Sequence, residues 1–470
     1  MKNDTISVAE AIPAVANPQS VGSSKKQVIE AAFFVIFGFG MSLVIRLMGN
    51  IVLTRLLIPE LFGLVSLARV FVMGLYLFSD IGLAPAAIRS DRSNDPVFLN
   101  TVWTLQIIRS AIIMGLLCII AVPISTLYRE PVLAAVIPAI GILGVINSLQ
   151  STSLIKLDRD LQQRKLTVVG LIVQVISTGS MLVAAYYFRN IWALLLNELI
   201  GSLIMVFWSH HLNKEQKNTL VLEKKAVKEV LTFGKWILVS TAMVFLASQA
   251  DRILLGKLFA MTQFGVYNIA VNLAEIPKQI IARLSVKILF PLVTQYSHGS
   301  REELRKMLGV PRGKMLSVLA VSVALIGTFG DLIVQILYDQ RYSAAAWILP
   351  LLVIGMWPLL LINTIDSSLL SIGKSQYSAA SNFAKFVYMI VLIPISFRVS
   401  GELGVILVVA FNDIPSYLIV SYGLVKERLS LLKQDAWTTL LLVVALGLFL
   451  SIRLMLGMGL PGVSSFSMHY

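Results

Sequence analysis

Ionisable and polar side chains recur inside long apolar runs of this chain, and their spacing suggests what they could do. Between residues 31 and 53, Gly38, Ser42, Arg46 and Asn50 repeat every four positions and so share one helix face. In the next run Arg69, Met73, Tyr76 and Asp80 share a face, and Gln106 and Arg109 mark the third. A guanidinium presents a planar fork suited to oxyanions, so Arg46, Arg69 and Arg109 could line a wet cavity and hold an anion. In the second half Asn268, Asn272, Glu275 and Gln279 form a stripe, with Lys278 beside Glu275 and Pro277 between them. Lys278 would be a further cavity cation, and Ser42, Asn50, Asn268 and Asn272 its polar lining. A desolvated carboxylate could also carry a coupling proton, and Glu275, Asp413 and Asp366 are candidates.

Each of these groups has a plainer reading. Arg69 and Asp80 lie three turns apart and could each snorkel toward their own interface. Arg109 could reach the inner head groups. Glu275 with Lys278 could be a structural ion pair, and Lys385 and Asp413, at similar depth, could neutralise each other. Asp251 could cap a gate or simply be solvated. A charge inside a span is nonetheless costly, which makes a functional reading the starting point.

The elements that must carry these residues are transmembrane helices. The chain of 470 residues is 57% hydrophobic and 14% charged, with a mean hydropathy of +0.82. That composition leaves too little polar surface to cover a water-soluble body. Apolar runs fall at 31–53, 62–85, 101–124, 131–153, 167–187, 191–209, 236–255, 263–290, 315–337, 344–371, 378–397, 402–424 and 437–457, about thirteen spans. Each is long enough for a hydrocarbon core of about 30 Å. They lack the alternation of barrel strands, so they must be helices. With the N-terminus inside, inner connections hold 24 Lys and Arg and outer ones 8, as the positive-inside rule requires. The net charge of +14 then reflects inner loops rather than nucleic-acid binding.

Residues 1–24 read as a disordered tail, and no apolar stretch with a cleavage site precedes the first span, so no cleaved signal peptide is expected. Residues 221–232 (VLEKKAVKEVLT) could lie along the inner leaflet or form a solvated linker. Ser300 and Glu303 have capping-box spacing and predict a short cytoplasmic helix over 300–308. The single cysteine, Cys118, is expected in packing.

Enzymatic readings fare badly. His210, His211, His298 and His469 lie at ends, loops or the tail, without the spacing of a helical zinc site. Gly373-Lys374-Ser375 echoes a phosphate-binding loop, but Ser368 stands where Gly is required and no strand precedes it. No metal and no cofactor is expected. A polysaccharide polymerase or glycosyltransferase would need acid or base groups in a sizeable outer loop, and every outer connection is short.

The chain also repeats itself. Residues 51–68 (IVLTRLLIPELFGLVSLA) align without a gap on 253–270 (ILLGKLFAMTQFGVYNIA) at an offset of 202. Leu53/Leu255, Phe62/Phe264, Gly63/Gly265 and Ala68/Ala270 are identical, and Arg55/Lys257 keeps its charge. Leu127-Tyr128 further matches Leu337-Tyr338. Six spans separate the copies, so the halves share one orientation, a parallel repeat.

NIVLTRLLIPELFGLVSLARVFVMGL at 50–75, SDIGLAPAAIRS at 79–90, FLNTVWTLQIIRS at 98–110 and SQADRILLGKLFAMTQFGVYNIA at 248–270 resemble the Wzx-type polysaccharide flippases of the MOP (multidrug/oligosaccharidyl-lipid/polysaccharide) superfamily. The likeness covers most of 28–430. Ile58 departs from it, since the family usually has Thr or Ser before this Pro. The resemblance implies a MOP/MATE-like all-α membrane protein of two pseudo-symmetric six-helix lobes around a central cavity. It would comprise a tail (1–28), an N-lobe (29–210), a linker (211–232), a C-lobe (233–425) and an additional C-terminal span with its tail (426–470). It implies a monomer in the bacterial inner membrane that flips an undecaprenyl-diphosphate-linked oligosaccharide to the periplasmic leaflet. Membrane lipid, with polymerase or export machinery, would be its partners. The intramembrane arginines would then hold the diphosphate. A MATE-like drug/cation antiporter is the nearer alternative.

Overall fold

A charge-poor chain with runs of this length can satisfy its backbone in lipid only by helical hydrogen bonding, and the computed structural model shows that outcome. It describes residues 25–80, 83, 92, 95–160, 162–212, 218–285, 289, 293 and 300–462, with the backbone alone at 25–29, 31–32, 229–240 and 370–371. Residues 1–24, most of 81–94 and Lys287 therefore lie outside the described residues. The helices are α1 (Lys25–Leu56), α2 (Pro59–Phe78), α3 (Pro96–Tyr128), α4 (Leu133–Ser148), α5 (Ser153–Arg159), α6 (Gln163–Phe188), α7 (Ile191–Leu212) and α8 (Lys224–Leu258). They continue with α9 (Met261–Leu284), α10 (Arg301–Leu337), α11 (Ala345–Gly355), α12 (Trp357–Asn363), α13 (Asp366–Ser371), α14 (Gln376–Ala410), α15 (Ile414–Lys426) and α16 (Leu432–Met455). Within the described residues each of the apolar runs falls on a helix or a broken helix group. Among the described residues eight stretches qualify as spans by length and hydropathy, nine with the α11–α12 pair, which bends by 42°. One of the eight, Gln376–Lys426, has 51 residues. A straight helix of that length would measure about 77 Å, more than twice the bilayer core. It turns at Gly401, whose φ of +57° only glycine takes readily.

The chain divides into two compact units, Glu10–Ala242 and Met243–Tyr470, with the division inside α8. In the first unit α3 packs on α4, α2 on α4, and α6 on both α1 and α7. In the second α10 packs on α11, α9 on α11, and α14 on α15. The repeat read from sequence is thus a repeat of pairing. Its conserved element is an elbow. Leu57 N donates to Leu53 O and Phe259 N to Leu255 O, each at 2.8 Å. Ile58 and Ala260 then turn extended, and a new helix starts at Pro59 and at Met261. Leu53, Leu57 and Ala68 are buried, as are their counterparts Leu255, Phe259 and Ala270, so the identities mark packing.

Four expectations change. Ser300 caps a helix as predicted, its Oγ accepting from Glu303 N at 3.2 Å. The helix does not stop at 308, however, but continues through Pro311 as the 37-residue α10. Cys118 is exposed on α3 rather than packed. The connection before α8 is, over residues 218–223, an extended strap. Thr219, Val221 and Glu223 donate their backbone N–H to Asn100, Thr104 and Thr101 of α3. Arg92 clamps its end, bonding Glu223 at 2.6 Å and Asp95 at 2.5 Å, and holds the Asp95 carboxyl below its ordinary value. Finally, the polar stripe of α1 is in part a packing face. Residues four apart drift about 40° around a helix at each step, so Gly38, Ser42 and Gly49 stay together while Arg46 and Asn50 rotate away. A Cβ on Gly38 or Gly49 would collide with Thr167 or Thr178 of α6, and Gln174 of α6 donates to the Ser42 carbonyl at 2.9 Å.

The last helix is fastened to α10 by two buried ion pairs of opposite polarity. Arg312 of α10, wholly buried, meets Asp435 of α16 at 2.7 Å. The same Nη2 donates to the Leu361 carbonyl, while Nε donates to Thr364 and Nη1 to Gln434. Near the other end Asp331 of α10 takes two bonds from Arg453 of α16, at 2.7 and 2.6 Å. Arg453 also donates to the Thr328 and Gly459 carbonyls, and Gly462 N donates to Asp331 at 3.1 Å. Gly457, Gly459 and Gly462 all have φ near +70°, which lets the segment after α16 fold back over this pair.

Removing one partner of such a pair strands a buried charge at a cost of about 3–5 kcal/mol, whereas removing both does not. Arg453→Leu and Asp331→Leu should each lower the thermal midpoint of the detergent-purified protein markedly, and the double variant should recover most of the loss. Additive loss in the double variant would contradict this account.

Candidate functional site

Each unit holds a polar cavity where a helix is interrupted or ends. In the first unit α2 ends at Phe78, and Ser79 folds its hydroxyl back onto the Leu75 carbonyl at 2.7 Å. Arg109 of α3 covers that end. It donates to the Tyr76 carbonyl at 2.5 Å and to Ser79 Oγ at 3.1 Å, stands 3.8 Å from Asp80, and lies 5.7 Å over the Tyr76 ring. Around it is a cavity of about 330 Å³ lined by Tyr76, Gln106, Arg109, Ser110, Asn147, Ser148 and Glu198 above an apolar floor. Gly144 makes room for it, since any Cβ there would overlap the Tyr76 hydroxyl. Arg69 is ion-paired with Glu198, which brings it to the rim.

Three of the charges have partners here: Asp80 stands near Arg109, and Arg69 pairs with Glu198. Arg46 is exposed on α1 and does not line this cavity; neither do Ser42 nor Asn50. Glu198 was overlooked in the sequence, although its lone carboxylate within the run 191–209 was a signal. An aromatic ring, two carboxamides, two hydroxyls, a guanidinium and a carboxylate around one hollow can bind a polyhydroxylated or phosphorylated group.

In the second unit the α11–α12 bend at Gly355–Met356 meets the break between α14 and α15. Gly355 lies so close to the Ala410 carbonyl that no side chain would fit, and Asp413 stands at the N-cap of α15. Beside this junction is a cavity of about 100 Å³ whose charged lining is Asp251, Glu275, Lys278, Lys385 and Asp413. Lys385 meets Asp413 at 2.6 Å, both largely buried, and Lys278 meets Glu275 at 3.2 Å, both more open. The buried Tyr267 donates to Asp251 at 2.5 Å. Three carboxylates face two ammonium groups, a surplus of one negative charge when all are ionised.

Three sequence-predicted residues do not join this cluster. Asp366 accepts from Ser378 Oγ at 2.7 Å outside the cavity. Asn268 is buried and turns back on its own helix, donating to the Phe264 carbonyl at 2.7 Å, because packing closes that face of α9. Asn272 is exposed and does not line the hollow. Asp251, whose role the spacing left open, belongs to the cluster because Tyr267 sits across from it. Among the described residues no group of three His, Cys, Asp or Glu could hold a metal ion.

Gly144→Ala should force Tyr76 off its seat, an overpacking of about 1–3 kcal/mol. Transport should fall while membrane abundance stays near wild type, read by complementation alongside an immunoblot. Unchanged transport would remove Tyr76 from the site.

Comparison with known proteins places this architecture. TuaB of Bacillus subtilis (strain 168), a teichuronic acid biosynthesis protein, is 23% identical over 301 residues, 63% of this chain and 61% of TuaB. The match thus spans less than two thirds of that relative. WzxC of Escherichia coli (strain K12), a lipopolysaccharide biosynthesis protein, is 22% identical over 398 residues, 83% of this chain and 78% of WzxC. Among solved structures the lipid II flippase MurJ, in an inward closed conformation, superposes with a TM-score of 0.67 at 14% identity, covering 89% of this chain and 92% of MurJ. An inward-facing multidrug resistance MATE family transporter of the MOP superfamily gives 0.62 at 15% identity, covering 84% and 96%. The fold is therefore the two-lobe fold of MOP transporters. The family model for polysaccharide biosynthesis proteins matches residues 52–347, a stretch that contains both elbows, Arg109 and the Glu275–Lys278 pair, and the chain belongs to that family.

Proposed function

We propose that this protein flips a lipid-linked oligosaccharide, carried on undecaprenyl diphosphate, from the cytoplasmic to the periplasmic leaflet by alternating access. The observation that carries the reading is the first-unit cavity. Its arginine and carboxamides suit a phosphorylated sugar, and its ring offers a face for stacking. Membership in a polysaccharide biosynthesis family supports the substrate class. On this reading the protein is a multi-pass transporter of the bacterial inner membrane with a cytoplasmic N-terminus. It acts as a monomer beside polymerase and export machinery, and performs no covalent chemistry. The second-unit cluster is the coupling element. Its surplus negative charge is matched by one proton or one monovalent cation, and Glu275, in the more open pair, is the group that exchanges it.

Deletion of the gene should cause undecaprenyl-linked oligosaccharide to accumulate on the cytoplasmic side, and Arg109→Ala should fail to relieve it while inserting at normal levels. Drug sensitivity without that accumulation would favour the antiporter reading. Glu275→Gln should abolish the response of transport to a collapsed ion gradient in proteoliposomes. A retained response would assign coupling elsewhere.

A further inference from the structure

Beside the Arg312 end of the two helices joined by buried ion pairs lies an open groove of about 810 Å³. Its walls include Gly309, Gly313, Lys314 and Ser317 of α10, and Gln434 and Trp437 of α16. Gln434 bridges the floor, donating to the Gly309 carbonyl at 2.6 Å and accepting from Arg312 at 2.9 Å. Gly309 lies inside a helix, where glycine costs about 1 kcal/mol relative to alanine. No packing neighbour requires it, since a Cβ there would have nothing within 4 Å and would point into open space. The residue keeps the groove empty of protein.

The chemistry around the groove is one-sided. Lys314 is exposed and has no protein partner among the described residues, and Lys433 is exposed one turn from Trp437 on α16. No carboxylate lines the groove, because Asp435 is committed to Arg312 beneath it. Trp437 is 65% exposed, and Val310 and Val318, one turn to either side of Lys314, are 66% and 68% exposed. Two cations near the groove, an exposed indole beside them and exposed valines along α10 are the features that seat a phospholipid at a membrane interface. By the positive-inside count this is the inner interface.

We propose that the groove between α10 and α16 is a binding site for an anionic phospholipid. Its phosphate lies against Lys314 and Lys433, and an acyl chain lies along the α10 wall past Ser317 and Val318. A zwitterionic lipid carries its own ammonium and gains less from two unpaired lysines.

Native mass spectrometry of the detergent-purified full chain tests this with added phosphatidylglycerol, phosphatidylethanolamine or undecaprenyl phosphate. Phosphatidylglycerol should bind best and raise the thermal midpoint. Lys314→Gln should weaken its binding about fivefold. Gly309→Leu fills the groove and improves helix propensity, so it should abolish the lipid-dependent stabilisation without lowering the lipid-free midpoint. Equal binding of phosphatidylglycerol and phosphatidylethanolamine, or unchanged binding in both variants, would overturn the proposal. So would a preference for undecaprenyl phosphate, which would make the groove a substrate-tail site. None of these readouts involves transport, so failure here leaves the flippase reading standing.

Discussion

An ionised side chain inside a low-dielectric helical bundle must be answered by an opposite charge or a dense set of hydrogen bonds, and this requirement organises the protein. Arg312 with Asp435, Asp331 with Arg453, Lys385 with Asp413 and Arg109 with Asp80 are all cross-helix solutions to it. The pairs differ in enclosure, and enclosure separates their roles. The two joining α10 to α16 are sealed at 9% exposure or less. Arg109 and Glu198 keep 19% and 33% of their side-chain surface open, toward a hollow. A sealed pair fixes register and cannot serve a ligand. A half-open pair can exchange its partner.

The reciprocal placement on α10 and α16 has a further consequence. Each helix carries one acid and one base about nineteen residues apart, roughly 28 Å along the axis, close to the thickness of the hydrocarbon core. Parallel docking in one register satisfies both pairs, and sliding by one turn breaks both. Helix α16, which exceeds the twelve-span core implied by resemblance, is therefore built into the second unit rather than appended to it. The glycine-rich segment that follows it closes over the Asp331–Arg453 pair by the same logic, supplying a carbonyl to Arg453 and an amide to Asp331.

Helix interruptions supply the chemistry that continuous helices cannot. The extended residues Ile58 and Ala260, the bend after Gly355, the reversal at Gly401 and the break before Asp413 all free backbone groups or aim side chains inward. In each case a proline, a glycine or a change in hydrophobic pattern marks the spot. These marks were legible along the chain. What they would bring together was not.

The sequence by itself determined the membrane class, the helical runs, the parallel repeat and the family, because these depend on composition, run length and local identity. The elbow at 51–68 and its copy at 253–270 needed no coordinates, since the same buried positions impose the same residues. Tertiary structure alone decided which charges meet. Periodicity assigns Arg69 and Tyr76 to one face of α2, but not which helix lies opposite, so it cannot supply Glu198 as a partner, nor pair Arg312 with Asp435 or Asp331 with Arg453. Arg453 and Asp331 lie 122 residues apart, and no local spacing encodes a contact of that range. Asn268 makes the converse point: a polar residue in register with a stripe turned back on its own helix once packing closed that face. Helical period specifies direction around one axis, and a site is made where several axes converge.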